Sequence, residues 1–239
     1  MNALLDLVLD AHGGLRRWRA ARTIHAEGSI GGLLWSLRGQ EEIFAEADIT
    51  ADVQQQRLVF EGFTDPGLRG VFTPDRVVIE QKDCEVLADR NAPRDAFAGH
   101  RADTPWVPLH ALYFAGYAMW NYLTAPYLLT RPGVVVEELE FWREPDEDWR
   151  RLRARFPEAL ATHCLEQVFY YDTAGLLRRH DYAPDVLGGT PAAHFSEHHV
   201  RASGLVFPTH RFVVPVQDDG RAASEPVLIT IDLADISVT

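Results

Sequence analysis

The chain has 239 residues, which is enough for one large β-rich domain or two small ones. Apolar residues make up 46% of it and aromatic residues 10%, a composition that excludes a disordered chain. The formal net charge of −12 disfavours nucleic acid and anionic membrane surfaces, because both attract basic proteins. We therefore expect a globular protein that does not bind nucleic acid.

Residues 1–21 predict N-terminal helices. Leu4, Leu5, Val8 and Leu9 have helical spacing, and the glycines at 13 and 14 are typical of a helix end. Acidic residues interrupt this apolar run and no basic segment precedes it, so it does not match a secretion signal. No stretch of about 18 uncharged apolar residues occurs, so we expect no membrane span. Together these features predict a cytoplasmic protein.

Residues 23–84 have a period of two, which predicts a first set of antiparallel strands. The predicted strand segments are TIHAEGSI, LLWSLRGQ, ITADVQQQRLVFEGF and a hairpin, GVFTPDRVVIE, with a Pro-Asp turn. Residues 85–107 are polar and contain two prolines, which predicts a long functional or mobile loop. The sequence leaves open whether this loop is a lid.

Residues 108–129 predict a buried aromatic helix with apolar residues all round it. At 100° per residue, one line of side chains contains His110, Phe114, Tyr117, Asn121 and Thr124. The opposite line contains Leu112, Ala115, Met119 and Leu123. We expect the second line to face the core. We expect the first to form the wall of a pocket, because buried polar groups need partners or water.

Residues 134–239 predict a second set of strands, with a turn at Pro145-Asp146 and a hairpin closed by the DTAG loop. The fold class expected from both sets is α+β. It contains a single strongly curved antiparallel sheet, a half-barrel, with an N-terminal helix and the aromatic helix packed in or across its concave face. We treat residues 1–239 as one domain.

The hairpin makes the register of two strands testable. If Tyr171 faces Leu176, then the face that contains His180 also contains the following residues: His163, Gln167, Phe169 and Tyr182. Asp181 or Glu166 is then expected to pair with Arg179 across the opposite, solvated face.

Seven of the ten histidines lie in or after the aromatic helix. Histidine titrates near neutrality and is the usual general acid or base. The candidate catalytic residues are His110, His163, His180 and Tyr182. The candidate ligand-binding residues are mostly aromatic and are Trp35, Tyr113, Phe114, Tyr117, Trp120, Asn121 and Thr124.

The segment AHFSEHH offers an alternative chemistry, a metal site. In a strand His194, Ser196 and His198 share a face, and two histidines in this spacing can begin a zinc or iron site. The spacing is unspecific, so we assign no metal ligand. Cys84 and Cys164 are expected to be reduced, and no nucleophile elbow or glycine-rich nucleotide motif occurs. We expect no cofactor.

Three segments carry a resemblance to a known fold: AHGGLRRWRAARTIHAEGSI, YYDTAGLLRRHDY and GLVFPTHRF. Together they resemble the lipoprotein-carrier type, which is similar to the periplasmic lipoprotein-sorting proteins. The blocks FTPDRVVIE, PWVPLHALYFAGYAMWNYLTAPYLL and LLRRHDYAPDVLGG resemble a bacterial family of uncharacterised proteins. Cytoplasmic relatives of the fold include a cofactor-free enzyme of tryptophan-derived pigment synthesis. The resemblance therefore implies a half-barrel that holds a hydrophobic molecule.

Three functions remain open. The first is a cofactor-free acid-base enzyme for a hydrophobic or aromatic small molecule, catalysing an isomerisation, cyclisation or hydrolysis. The second is a carrier or sensor of a lipid-like ligand, and the third is an assembly module without a pocket. A homodimer through a strand edge is compatible with each of them.

Overall fold

The computed structural model describes residues 2–144 and 147–239. The α-helices are α1 Ala3–Ala11, α2 Leu15–Ala20, α3 Leu33–Leu37 and α4 Pro108–Thr124. The first six strands are β1 Thr23–Gly31, β2 Ala47–Asp52, β3 Arg57–Glu61, β4 Leu68–Phe72, β5 Arg76–Gln81 and β6 Val86–Asn91. The others are β7 Val135–Arg143, β8 Asp148–Arg155, β9 Glu166–Tyr171, β10 Leu177–Tyr182, β11 Ala192–Ala202, β12 Leu205–Pro215 and β13 Ile229–Val238. Short 3₁₀ helices lie at Asp95–Phe97, Tyr127–Thr130 and Asp185–Leu187.

All these strands join one antiparallel sheet of 13 strands. Their order is β6-β5-β4-β3-β2-β1-β13-β12-β11-β10-β9-β8-β7. The last strand therefore pairs with the first in the middle of the sheet. This arrangement confirms the predicted fold class, a curved antiparallel sheet with an N-terminal helix and a buried aromatic helix. The predicted turn at Pro145-Asp146 lies outside the described residues.

Prolines determine both ends of helix α4. Pro108 occupies the first turn, where its missing N–H costs nothing. The backbone N–H of Val107 donates to Nδ1 of His110 over 3.1 Å, which caps this end. The helix stops at Thr124 because the residue before Pro126 is extended. The prediction of one helix over 108–129 is therefore too long, and a separate 3₁₀ helix follows.

The whole of α4 from His110 to Thr124 is buried. It packs against strands β3 to β6 on one half of the sheet. Gly116 has no space for a side chain, since a Cβ there would collide with the ring of Phe72. On the other half of the sheet the tyrosines of the helix contact Tyr182 of β10, and they also contact His163 in the β8–β9 connection. Helix α4 thus crosses the concave face and holds both halves of the sheet.

Two predicted elements are wrong. The segment LLWSLRGQ, predicted as a strand, contains helix α3, whose Leu34 N–H donates to the carbonyl of Leu228. Five residues are too few for the sequence to separate helical from strand periodicity. The predicted loop of residues 85–107 contains strand β6, which pairs with β5. Its apolar residues Val86 and Leu87 are exposed, so no inward alternation marks this strand.

The predicted hairpin register is also wrong. Tyr171 lies opposite Leu177 instead of Leu176, and a further shift places His180 opposite Phe169. The carboxylate of Asp172 accepts from the N–H groups of the turn and lengthens it, which the loop sequence alone does not specify. The total displacement is two residues. His180 therefore stays on the predicted face.

Arg179 pairs with Asp181, but the contact is neither cross-strand nor solvated as predicted. The guanidinium is completely buried, and its Nε donates to the carboxylate over 2.6 Å within one strand. The carbonyl of Gly220, in the β12–β13 connection, accepts from Arg179 over 2.7 Å, so this connection helps to cover the pair. Glu166 lies 3.8 Å from Arg153 instead.

The sheet ends at β6 and β7 in the described part of the chain. Such edges can pair with a second copy, and the homodimer stays a prediction. None of the described helices combines the length and apolar character that crossing a membrane needs.

Candidate functional site

A cluster of buried polar residues lies on the concave face between α4 and strands β10 to β12. Alternation along the strands brings His180, Tyr182, His194 and Ser196 to this face. His180 is opposite His194, and Ser196 is opposite Arg211. All five side chains are at least nine-tenths buried. Their polar atoms must therefore satisfy each other or a bound molecule.

Arg211 sets the direction of the hydrogen bonds in this cluster. A guanidinium only donates, so its contact of 3.4 Å with His194 makes Nε2 of that ring an acceptor. The proton of His194 is then on Nδ1, which donates to the hydroxyl of Tyr182 over 3.3 Å. Tyr182 in turn donates to the hydroxyl of Tyr122 over 2.9 Å.

The chain of hydrogen bonds continues through α4. The hydroxyl of Tyr122 donates to Nε2 of His163 over 2.7 Å, and Nδ1 of His163 donates to Tyr117 over 3.2 Å. The His163 ring also stacks on Tyr182, with ring centroids 3.8 Å apart. These contacts fix one tautomer for each histidine and join the two halves of the fold.

His180 lies beside this series of hydrogen bonds and is not part of it. Its Nε2 is 2.6 Å from Oε1 of Gln167, and the Gln167 amide N–H donates to the carbonyl of Cys164 over 2.8 Å. The ring stacks on Phe169 with centroids 4.0 Å apart. Since the glutamine oxygen only accepts, Nε2 of His180 carries the proton.

Burial makes the histidines and tyrosines of the cluster uncharged at neutral pH. Desolvation lowers the pKa of His163, His180 and His194 well below 6.5, and the charge of Arg211 adds to the effect for the last two. Desolvation also raises the pKa of Tyr122, Tyr117 and Tyr182 well above 10. Arg211 has its pKa lowered to about 10 and remains a cation.

A small apolar crevice adjoins the cluster. Tyr122 lines it, and the other lining residues are Ile30, Trp35, Phe114, Ala115, Ala118, Met119, Ile229 and Ile231. Its volume of about 10 Å³ is what a single water needs. A surface groove of about 410 Å³ shares two lining residues, Ile30 and Trp35, with the crevice.

Three of the four candidate catalytic residues lie together, namely His163, His180 and Tyr182. His110 lies apart, because 12 residues of helix, about 18 Å, separate it from Tyr122. It contacts His100 and Phe97, and burial lowers its pKa to about 4, which suits its role as an acceptor at the helix start. The catalytic roles themselves stay predictions.

The candidate ligand-binding residues divide into two groups. Trp35 and Phe114 line the crevice, and Tyr117 ends the hydrogen-bond chain. The other four side chains bond to the protein itself through these contacts: Tyr113 to Arg94, Trp120 to the carbonyls of Asp52 and Gln55, Asn121 to the carbonyl of Ala161, and Thr124 to the carbonyl of Trp120. On the polar line of α4, Tyr117 and Asn121 therefore bond to other parts of the chain, whereas Thr124 bonds within the helix.

The prediction that His194, Ser196 and His198 share a face is wrong. His198 has a positive φ of 51°, which interrupts the alternation, and its exposed ring lies 5.5 Å from His210. His199 approaches His12 instead, at 6.5 Å between ring centroids. No group of three His, Cys, Asp or Glu side chains in the described residues is arranged to hold a metal ion.

Two central residues were missed by the sequence analysis, Tyr122 and Arg211. The strand VFPTHRFVVPV does carry a signal for the second. Phe207 and Val213 alternate inward in this strand and place Arg211 at an inward position, where a charged residue is unusual. Tyr122 gave no comparable signal, because aromatic residues surround it in the sequence.

Solved structures resemble the whole chain, whereas no protein-family profile and no curated protein matches its sequence. A DUF1329 family protein from Desulfovibrio piger has a TM-score of 0.56 and 11% identity, over 99% of this chain and 92% of that one. A LolA superfamily protein from Nitrosomonas europaea has a TM-score of 0.50 and 10% identity, over 96% and 90%. A domain from Vibrio parahaemolyticus, described as an outer membrane lipoprotein-sorting protein domain, has a TM-score of 0.53 and 10% identity, over 98% and 91%. At such identities the similarity shows the fold alone: the chain has the lipoprotein-carrier-like fold that its sequence predicted.

Proposed function

We propose that this protein binds a small hydrophobic molecule, with an aliphatic chain or an aromatic ring, on the concave face of its half-barrel. The observation that carries the proposal is the crevice between α4, β1 and β13, whose lining is apolar apart from Tyr122. Ligand sites are typically concave and apolar with a few polar groups that orient the ligand. The crevice beside the hydrogen-bonded cluster has this composition.

Binding requires the crevice to widen, since it holds about one water as it stands. Met119 is a flexible, unbranched side chain that adapts to different shapes. Trp35 lies on the five-residue helix α3, and its indole Nε1 is buried without a hydrogen-bond partner among the described residues. Turning this indole outward gives the nitrogen water to bond and joins the crevice to the surface groove. We propose this route for ligand entry.

Filling the crevice tests the proposal. We expect 1-octanol and 3-phenylpropanol, titrated by calorimetry, to bind the wild-type chain at one site. Ala118→Leu puts three more carbons into the crevice and should weaken binding roughly tenfold or more, about 1.4 kcal/mol. Met119→Leu conserves volume and should stay within roughly threefold of wild type.

Circular dichroism melting identifies variants that fail to fold, and Ala118→Val is a milder filling variant for that case. The proposal is wrong if neither alcohol binds the wild-type chain and no carboxylate with the same apolar body binds it either. It is also wrong if the folded filling variant binds both alcohols as tightly as the wild type does.

A second candidate is acid-base catalysis, favoured by the contact of 2.7 Å between Tyr122 and His163. The pKa directions weigh against it. A general acid or base works best when its pKa is near the working pH, and burial moves the pKa of both groups away from neutrality. We therefore rank a carrier or sensor role above an enzymatic one.

A further inference from the structure

Arg211 is a buried cation without a carboxylate partner in the described residues. Its side chain is only 2% exposed. Nη1 donates to Ser196 Oγ over 2.9 Å and contacts the neutral His194 ring, and Nη2 donates to the carbonyl of Tyr122 over 3.1 Å. Every one of these partners is uncharged. A buried charge is costly unless an opposite charge or a bound ion compensates it, so this position calls for an anion.

Some N–H groups of the Arg211 guanidinium also have no acceptor in the described residues. Nε of Arg211 is buried and has no acceptor in the described chain, and Nη2 has one acceptor for its two N–H bonds. A guanidinium binds a carboxylate through two parallel N–H donors, and such charge-assisted pairs are roughly twice as strong as neutral hydrogen bonds. Arg211 can therefore take a carboxylate without giving up its bonds to Ser196 and Tyr122.

Arg211 adjoins the apolar crevice through two of its lining residues. Its guanidinium carbon lies 5.3 Å from the centre of the Tyr122 ring. On the sheet it is directly opposite Ile231, so both side chains lie on the concave face. A molecule in the crevice thus lies beside Tyr122, whose ring is next to the only buried cation of this cluster.

We infer that the ligand is an apolar monocarboxylate, with its carboxylate on Arg211 and its chain or ring in the crevice. This inference rests on the proposed function and names the class of its ligand. One buried positive charge matches one negative charge. A phosphate monoester carries a charge of about −1.5 to −2 at pH 7 and would leave part of it uncompensated among neutral tyrosines and histidines.

Two pairs of probes test the inference on the wild-type chain, without any substitution. The first pair is octanoate and 1-octanol, and the second is 3-phenylpropanoate and 3-phenylpropanol. Within each pair the apolar body is the same and only one member is charged at pH 7.5. We expect the carboxylate of at least one pair to bind roughly tenfold tighter or more than its alcohol by calorimetry. The pair with the larger difference in affinity between carboxylate and alcohol shows whether the site prefers an aliphatic chain or an aromatic ring.

Arg211→Met then locates the charge recognition. Methionine replaces the guanidinium by an apolar side chain, so the carboxylate should lose its advantage while the alcohol still binds. Arg201→Met removes an exposed arginine and serves as the matched control, in which the preference should persist. If Arg211→Met does not fold, Arg211→Gln keeps a donor for Ser196 without the charge and should also lose the preference.

The outcomes separate this inference from the proposed function. Equal affinities for carboxylate and alcohol in both pairs would overturn the inference and leave the apolar site intact. A preference that survives in a folded Arg211 variant would overturn it as well. Failure of all four probes to bind would overturn the proposed function together with the inference.

Discussion

Acidification from pH 7 to pH 5 is expected to unfold this protein or to remove most of its stability. Burial lowers the pKa of His163, His180 and His194 in the folded chain well below 6.5, their usual value. Below pH 6.5 the unfolded chain therefore binds protons that the folded chain excludes. The free energy of unfolding then falls as the pH falls, and the full stability is present only above pH 6.5.

The expected effect is large. Each histidine contributes at most about 1.4 kcal/mol per pH unit, a limit that is approached about one unit below the unfolded pKa of 6.5, so the three together approach about 4 kcal/mol per unit near pH 5.5. Domains of this kind are stable by about 5 to 15 kcal/mol in total. Burial also lowers the pKa of His12 and His199 to about 4, which adds to the loss. Most carboxylates titrate below this interval and contribute little.

Urea unfolding at pH 7.0, 6.5, 6.0 and 5.5, followed by circular dichroism, measures this slope. The variant His180→Met removes one of the three fully buried groups and should lower the slope between pH 6.0 and pH 5.5 by about 1 kcal/mol per unit. A free energy of unfolding that stays constant from pH 7 to pH 5.5 would contradict the assignment of these histidines as buried and neutral.

Tyr122→Phe is expected to destabilise the fold by about 4 kcal/mol, whereas Tyr171→Phe is expected to be neutral or slightly stabilising. Both changes remove one buried phenol hydroxyl. The hydroxyl of Tyr122 bonds to His163 and Tyr182, and its loss leaves Nε2 of His163 without a donor and the O–H of Tyr182 without an acceptor, at about 2 kcal/mol each. The hydroxyl of Tyr171 has no partner in the described residues, so its loss removes a desolvation penalty.

Urea unfolding of both variants at pH 7.5 gives the comparison. The two substitutions have the same chemistry, and both sites are buried, so the difference reports on the hydrogen-bond chain itself. Equal effects of the two variants on the free energy of unfolding would show that the hydrogen bonds of the Tyr122 hydroxyl contribute nothing to stability, and would contradict the prediction.

The strand and helix patterns predicted the architecture, because a curved sheet with one buried face repeats the same alternation in strand after strand. The prediction failed where that alternation was missing or too short. Strand β6 exposes Val86 and Leu87, and helix α3 has only five residues. The backbone of His198 is left-handed, so its side chain leaves the face that strand alternation predicts, and the periodicity of the sequence cannot show this.

The candidate site was predicted in part. The predicted alternation of two neighbouring strands grouped His163, His180 and Tyr182. They do lie together, although the register differs by two residues and His163 precedes β9. The polar line on α4 suggested a pocket wall, but helical periodicity cannot tell a cavity from partners on other strands. Arg211 lies on β12, far in sequence from the helix it meets, so only the folded chain reveals its contact with Tyr122.

Methyl NMR at Met119 tests most directly whether the concave face binds a hydrophobic molecule. The chain contains two methionines, Met1 and Met119, and the second lines the crevice. In a sample labelled at the methionine methyl groups, Met119→Leu identifies the resonance by its loss. We predict that 1-octanol shifts the Met119 resonance saturably, with the dissociation constant found by calorimetry. Binding that leaves this resonance unchanged would place the ligand elsewhere and contradict the account.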